Sequence, residues 1–196
     1  MEKNAELKAY ILDFVHKADY NITDVYTERE KVPIPDFVKT SIMEDKDIPE
    51  KTKEKMLADN ALERLRTDFQ HTVKNKRGEN YRLPNSLQSE GTKRTFGIEA
   101  AIYEAIKTNG ILPIDEIESS LHPELVEFII EKFLKEKSRS QLIVTSHYDP
   151  LLNTVDDLIR KDSVWFTEKE KDGHTTLYSL TDFKGLSKIS SFQKSY

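Results

Sequence analysis

Two apolar runs in this chain each end in side chains that could do chemistry. Residues 111–114 are apolar and are followed by the adjacent carboxylates Asp115 and Glu116, while residues 141–144 lead through Thr-Ser to His147. A carboxylate can hold a divalent cation or take a proton from water, and an imidazole can orient a reacting group or donate to it. Side chains of these types at the ends of two strands therefore predict that both ends point to one ligand-binding site.

The elements between the two runs would assemble this site. Continuous apolar runs are typical of the buried strands of a parallel sheet, in which ligands bind beyond the carboxyl ends of the strands. Residues 123–137 begin with proline and carry apolar side chains at helical spacing, which predicts a connecting helix. A strand-helix-strand unit places its two strands side by side or nearly so. We therefore expect Asp115, Glu116 and His147 to meet around one ligand.

The composition of the 196-residue chain limits the classes of protein to which it can belong. With 37% hydrophobic and 33% charged residues, it suits a globular protein of one domain with room for a smaller lobe. The absence of cysteine excludes disulfides, thiol catalysis and thiolate metal sites. A net charge of -5 argues against a strongly basic nucleic-acid surface. Because no apolar stretch approaches the ~18 residues of a membrane span and the start has no signal-peptide core, we expect a cytoplasmic protein.

Hydrophobic periodicity predicts an α/β protein that divides loosely at residue 84. Residues 1–84 are expected to form a mostly helical N-terminal lobe with a small hairpin, and residues 85–196 an α/β C-terminal lobe. The elements expected in the first lobe are a helix over 5–18, an edge strand over 22–26, a loop over 31–50, a helix over 51–70 and a hairpin over 71–83. Those expected in the second are a buried helix over 95–108, a hairpin with strands at 163–167 and 175–180, and a terminal helix. Because proline cannot donate to a sheet ladder, Pro113 predicts an edge strand or a bulge.

Four segments of the second lobe together resemble, in order, four motifs of ABC-type ATPases. They are Ser-Glu-Gly-Thr-Lys-Arg at 89–94, the strand and acids at 111–116, Ser-Ser-Leu-His-Pro at 119–123 and Thr-Ser-His at 145–147. They match the signature motif, the Walker B strand, the D-loop and the switch histidine. The chain is most similar to bacterial AAA-family ATPases related to SMC and OLD proteins, many of which lie in phage-defence loci. The resemblance covers residues 71–196 and implies a P-loop-NTPase-like lobe with parallel strands and flanking helices.

The resemblance also implies roles for individual residues, with Mg²⁺ and ATP as cofactors. Asp115 would hold Mg²⁺ through water, Glu116 would be the general base, and His147 would contact the γ-phosphate or position the water. The signature residues would bind nucleotide held by the other subunit of a dimer, at the start of a helix. These signature residues are Ser89, Gly91 and Thr92, and the D-loop residues are Ser119, Ser120 and His122.

One element of such an ATPase is missing. No Gly-x-x-x-x-Gly-Lys-Ser/Thr sequence occurs among the 6 glycines, so nothing here can form a phosphate-cradling P-loop. We expect an ATPase lobe that is not competent alone, whose nucleotide-gripping half is absent, supplied by another polypeptide or lost by truncation. The expected partner is a second copy of the chain or a P-loop-containing chain. An effector protein or a nucleic acid is a further possible partner, and no membrane association is expected. The sequence does not indicate what ATP hydrolysis would drive.

Two other functions remain open at this point. The chain could be a non-catalytic interaction module that has kept the ATPase fold, although the retention of both acids favours hydrolysis. It could also be a metal-dependent nuclease or phosphatase that uses Asp115, Glu116, Glu118 and His147. Binding of Mn²⁺ without nucleotide would favour the nuclease.

Overall fold

The computed structural model describes residues 5–18, 21–58, 61–73, 78–154 and 157–183. These residues form a mixed α/β fold, as predicted, and the chain divides into two compact units, Met1–Tyr103 and Glu104–Tyr196. The lobe division at residue 84 stays a prediction, and the terminal helix expected from the sequence lies outside the described residues. None of the described helices is long and apolar enough to cross a membrane.

The first unit contains a three-stranded antiparallel sheet. Its strands, in their order across the sheet, are β1 (Ile22–Pro33), β2 (Ala61–Thr72) and β3 (Asn80–Pro84). Ion pairs join the two long strands at Arg64–Glu30 and Arg29–Glu63. The edge strand predicted at 22–26 is confirmed but extends further, and β2 and β3 form the predicted hairpin.

Four α-helices accompany this sheet in the described part of the first unit, and all but the third contribute buried residues. They are α1 (Ala5–Lys17), α2 (Asp36–Glu44), α3 (Glu50–Ala58) and the first part of α4 (Glu90–Thr108), which continues into the second unit. α1 buries Ile11, Phe14 and Val15, whose i, i+3, i+4 spacing gives the helix one apolar face. Phe69 of β2 is buried, and the ring of Phe96 on α4 meets it edge-on with centroids 5.1 Å apart. The core therefore includes residues of α1, β2 and α4.

Several predictions for the N-terminal residues are wrong. The helix expected over 51–70 is present only as α3, which ends at Ala58, and residues 61–70 belong to β2. The segment 31–50, expected as a loop, contains the end of β1 and the whole of α2. Apolar residues do recur at helical spacing over 51–70, but antiparallel pairing along β1 outweighs that local preference. The described part of residues 1–84 is consequently not mostly helical but combines helices with a sheet.

The second unit contains the predicted strand-helix-strand unit. Strands β4 (Ile111–Ile114) and β5 (Gln141–Val144) are adjacent and parallel, and helix α5 (Pro123–Lys135) lies between them in the chain. The buried residues of α5 follow one helix face and are Val126, Ile129, Ile130 and Phe133. The predicted C-terminal hairpin is also present, as β6 (Trp165–Lys169) and β7 (Thr175–Ser179).

Pro113 lies on the outer edge of β4. The Gln141 N–H donates to the Gly110 carbonyl at 3.0 Å. The Thr145 N–H donates to the Ile114 carbonyl, also at 3.0 Å. Residues 110 and 114, and with them the other even-numbered residues of β4, therefore direct their backbone groups toward β5. Pro113, which has no N–H, therefore faces the other edge, where β4 has no strand partner among the described residues. The predicted edge position is confirmed, and the register shows no bulge.

One face of the β4–β5 pair is exposed. Ile111 and Ile143 on this face are 63% and 56% exposed, and Pro113 is exposed as well. The residues of the opposite face are half-buried. Parallel sheets are ordinarily covered on both sides. The exposed side, which we call the open face, is therefore a surface that a further structural layer would cover.

Candidate active site

Residues 115–118, which follow β4 and which we call the acidic loop, are held in place by a buried residue and a turn. Ile117 is fully buried, and its N–H donates to the Thr145 carbonyl at 3.1 Å, which continues the β4–β5 pairing beyond the strand ends. Glu116 has a φ of 45°, a left-handed conformation that is uncommon for a residue other than glycine. The Ser119 N–H donates to the Glu116 carbonyl at 2.9 Å and closes the turn. Backbone strain of this kind is concentrated at functional sites.

Thr145 connects the two acids from the neighbouring strand. Its hydroxyl donates to Asp115 Oδ1 and accepts a hydrogen bond from the Glu116 N–H at 2.9 Å. One hydroxyl thus orients the Asp115 carboxylate and holds the backbone of Glu116. Asp115 and Glu116 remain exposed, so a ligand in solvent can reach their carboxylates.

The structure also brings His147 to the same strand ends. Its Nε2 lies 3.9 Å from Glu116 Oε1, and the two side chains are 87% and 55% exposed. This separation is longer than a direct hydrogen bond. Long contacts of this kind are common in sites without substrate and tighten when a substrate binds. The juxtaposition expected from the sequence is therefore present, and the roles of these residues stay predictions.

Glu118 links the acidic loop to the segment that carries His147. Its Oε1 accepts a hydrogen bond from the His147 backbone N–H at 2.6 Å. Burial raises the pKa of Glu118, but hydrogen bonds from the backbone N–H groups of His147 and of Glu118 itself and from the Ser146 hydroxyl outweigh that effect. The pKa therefore lies below its ordinary value, and the carboxylate is ionised at neutral pH.

The donor set fits a magnesium ion bound together with a nucleotide. Mg²⁺ in phosphate-transfer sites is usually held by one or two carboxylates, waters and the substrate's own phosphates. Asp115 offers an exposed carboxylate whose orientation Thr145 fixes. Among the described residues, no group of three His, Asp or Glu side chains has the arrangement of a metal site built from protein ligands alone.

The D-loop residues form the connection between the acidic loop and α5. Ser120 has a φ of 61°, so the loop contains a second residue in the left-handed region. His122 is the N-terminal cap position of α5, with Pro123 opening the helix. The imidazole of His122 is largely exposed and lies 3.9 Å from the Glu124 carboxylate. Ser119, Ser120 and His122 therefore lie next to the acids in sequence, and their D-loop role stays a prediction.

The signature residues lie in the first unit, where they begin α4. Ser89 Oγ accepts a hydrogen bond from the Thr92 N–H at 3.1 Å and lies 2.8 Å from Thr92 Oγ1. Thr92 is buried, and Gly91 is half-buried in the first turn. This geometry is that of an ordinary helix N-cap. A nucleotide-binding role for Ser89, Gly91 and Thr92 stays a prediction.

Sequence reasoning missed what Thr145 and Glu118 do. In the sequence, Thr145 is only part of the segment before His147, and Glu118 is only an alternative metal ligand. The signal for Thr145 was its place at the end of β5, beside the strand that delivers the acids. For Glu118 no local signal exists, because its partner is a backbone N–H 29 residues away.

Comparison with protein families supports an ATPase-like fold. The family model described as "AAA domain, putative AbiEii toxin, Type IV TA system" matches residues 4–153, which include both strand ends of the site. No curated protein matches the chain. Because the family model covers more than half of the chain, the protein belongs to this family of AAA domains, which are ATPase-like modules.

Proposed function

We propose that this chain supplies the hydrolytic side of an ATPase site of the ABC and SMC-like type. The observation that carries the proposal is the arrangement at the ends of β4 and β5. There, Thr145 holds both acids and His147 Nε2 faces Glu116 Oε1 at 3.9 Å. An acid pair and an imidazole near one exposed point are groups that can serve Mg²⁺-dependent phosphoryl transfer to water.

Each of the three side chains has one task in this proposal. Asp115 would hold Mg²⁺, which would supply charge neutralisation at the β- and γ-phosphates. Glu116 is the general base, which orients the attacking water and takes its proton. His147 steadies the water or the γ-phosphate by hydrogen bonding. The left-handed conformation of Glu116 and the hydrogen bond from its N–H to Thr145 fix the backbone that carries the base.

The proposal requires a P-loop from outside these 196 residues, and we propose that a second chain supplies it. A P-loop follows a strand and opens a helix, so its supplier would bring a strand-loop-helix unit to the sheet. The outer edge of β4 lacks a donor at Pro113, whereas Leu142 and Val144 of β5 retain their N–H groups. A parallel strand would pair with β5, and its helix would cover Ile111 and Ile143 of the open face.

The signature residues would act in a dimer. Ser89 and the backbone of Gly91 begin α4, where the first N–H groups of the helix and its dipole favour a phosphate. We propose that they contact nucleotide bound by the opposite subunit. The Ser89 hydroxyl would then exchange its hydrogen bond with Thr92 for one to a phosphate oxygen.

The family description suggests the biological setting. It names a toxin of a type IV toxin–antitoxin system. We propose that this chain works in such a system or in another form of phage defence, where ATP hydrolysis would gate an effector. The purification described below would also identify such an effector among the co-purifying proteins.

The test begins with the tagged chain purified from its own host together with whatever it binds. We expect a co-purifying chain that contains Gly-x-x-x-x-Gly-Lys-Ser/Thr, a complex that hydrolyses ATP with Mg²⁺, and loss of turnover with retained ATP binding in Glu116→Gln. Glu124→Gln, an exposed acid on α5, is the matched control. Normal turnover by Glu116→Gln, or turnover by the chain alone, would contradict the proposal.

A further inference from the structure

The backbone of the segment at 146–148 is held by one side chain from the acidic loop. Glu118 Oε1 accepts the His147 N–H at 2.6 Å, the short distance typical of a hydrogen bond to an ionised acceptor. The Tyr148 N–H donates to Ser146 Oγ at 3.0 Å, and the Ser146 hydroxyl also interacts with Glu118. Ser146 and His147 are thus tied directly to one carboxylate, and Tyr148 is linked to it through the Ser146 hydroxyl.

This anchor matters because the His147 ring has little packing to hold it. The ring is 87% exposed, and residues 145–148 have no regular secondary structure. The position of the imidazole relative to Glu116 is consequently set by its own backbone. The fixed point of that backbone is the hydrogen bond from its N–H to Glu118.

Glu118 is itself firmly placed. It follows Ile117, which is fully buried and hydrogen-bonded to the Thr145 carbonyl. The Leu121 N–H donates to the Glu118 carbonyl at 2.9 Å, so the backbone on the other side is also closed into a turn. The carboxylate therefore couples the position of the exposed histidine to that of the buried Ile117.

The second carboxylate oxygen shows that this arrangement has a cost. Glu118 Oε2 is buried and has no hydrogen-bond partner among the residues that the structure describes. A buried polar atom without a partner is destabilising and calls for an explanation. The hydrogen bond that the carboxylate does make, from the His147 N–H to Oε1, is the contact that offsets this cost.

We propose that Glu118 is a positioning residue of the hydrolytic site, which holds the backbone of residues 146–148 and thereby fixes the His147 ring relative to Glu116. The inference rests on the proposed function only where it says that the fixed His147 ring serves ATP hydrolysis. The anchoring itself is a property of the isolated chain and can be measured without ATP.

The first measurement is amide hydrogen exchange of His147 by NMR in the full chain. We expect exchange at least about tenfold faster in Glu118→Ala than in the wild type, since the loss of a hydrogen bond to a charged group is large enough for this. Glu118→Gln keeps an acceptor oxygen and should give an intermediate rate. Glu124→Ala is the matched control and should leave the rate unchanged, and the Ile117 amide reports whether each variant is folded.

The second measurement separates positioning from general support of the fold. In the wild-type background, Glu116→Gln should shift the ring resonances of His147, because the two side chains are neighbours. In the Glu118→Ala background the same change should shift them much less. Unchanged His147 exchange in folded Glu118→Ala, or an equal effect of Glu116→Gln in both backgrounds, would overturn the proposal. Either result would leave the ATPase proposal standing, just as absence of ATPase activity would leave the anchor standing.

Discussion

The hydroxyl of Thr145 donates a hydrogen bond to Asp115 Oδ1 across the ends of β5 and β4. The same oxygen accepts the Glu116 N–H at 2.9 Å, so one side chain orients both acids of the site. Neither the apolar run of β4 nor that of β5 could set this geometry by itself. The site is built by the parallel pairing of the two strands and depends on the residue that follows each of them.

Replacing Thr145 by valine should therefore impair the acids and leave the fold intact. Removal of a group that orients a metal-binding carboxylate typically costs about 10- to 100-fold in activity or metal affinity. We expect a loss of that size in the ATPase rate of the complex with a P-loop-bearing chain. Thr145→Ser keeps the hydroxyl and should keep most of the rate. Equal rates for the valine and serine variants would show that the hydroxyl does not matter.

Ile117 should carry much of the stability of the acidic loop. It is fully buried, and truncation of such a side chain to alanine usually costs about 2–5 kcal/mol. We expect Ile117→Ala to lower the free energy of unfolding by that amount in urea titrations. Ile111→Ala, at an exposed position of β4, should change it by less than about 0.5 kcal/mol. Similar losses for both variants would mean that Ile117 does not anchor the loop.

Ser89 offers a test of the two interpretations of the signature segment. As the N-cap of α4, it should contribute about 1 kcal/mol, which Ser89→Ala would remove. Asparagine is an equally good N-cap, so Ser89→Asn should preserve stability in urea titrations while it removes the hydroxyl. If the residue also binds a phosphate, Ser89→Asn should weaken ATP-dependent dimerisation of the complete complex, measured by light scattering. A stable Ser89→Asn variant that dimerises normally would leave Ser89 with the capping role alone.

The parts of the fold that the sequence predicted correctly are those specified by short segments. β4, β5 and the helix between them follow from two apolar runs and one amphipathic stretch, and the C-terminal hairpin follows from two strands around a glycine-containing turn. Pro113 predicted an edge because a missing N–H has the same consequence in any sheet. From these elements, the meeting of Asp115 and Glu116 with His147 could be expected before the structure was known.

The predictions that were wrong, and the contacts that were not predicted, have a different physical cause. Whether residues 61–70 form a helix or a strand is decided by pairing with β1, which begins 39 residues earlier in the chain, and local periodicity cannot show it. The Glu118 hydrogen bond is similarly non-local, since the acceptor is a side chain and the donor a backbone N–H. Backbone donors are identical in every residue except proline, so sequence cannot indicate which of them a carboxylate will bind.

The stability of the chain should depend on pH through Glu118. Because the folded-state pKa of this residue is lowered, its contribution is present above its unfolded pKa of about 4.3 and is lost as the pH falls through the folded value. We therefore expect wild type to be more stable than Glu118→Gln at pH 7, with the difference shrinking as the solution is acidified below pH ~4. Urea titrations of both proteins at several pH values test this. A difference that is independent of pH would show that the ionised carboxylate is not the stabilising form.

The open face of the β4–β5 pair should be needed for the partner rather than for the fold. Ile143 is 56% exposed, so Ile143→Lys should change the free energy of unfolding by less than about 0.5 kcal/mol. If a helix from a P-loop-bearing chain covers this face, a charged ammonium group there would be buried without a counter-charge, and the complex should weaken strongly. Leu177→Lys, at an exposed apolar position of β7, is the matched control and should not affect binding. Analytical ultracentrifugation of each variant with the co-purified chain measures the effect. Because the control makes the same chemical change on another strand, equal binding by both lysine variants would place the partner elsewhere on the molecule.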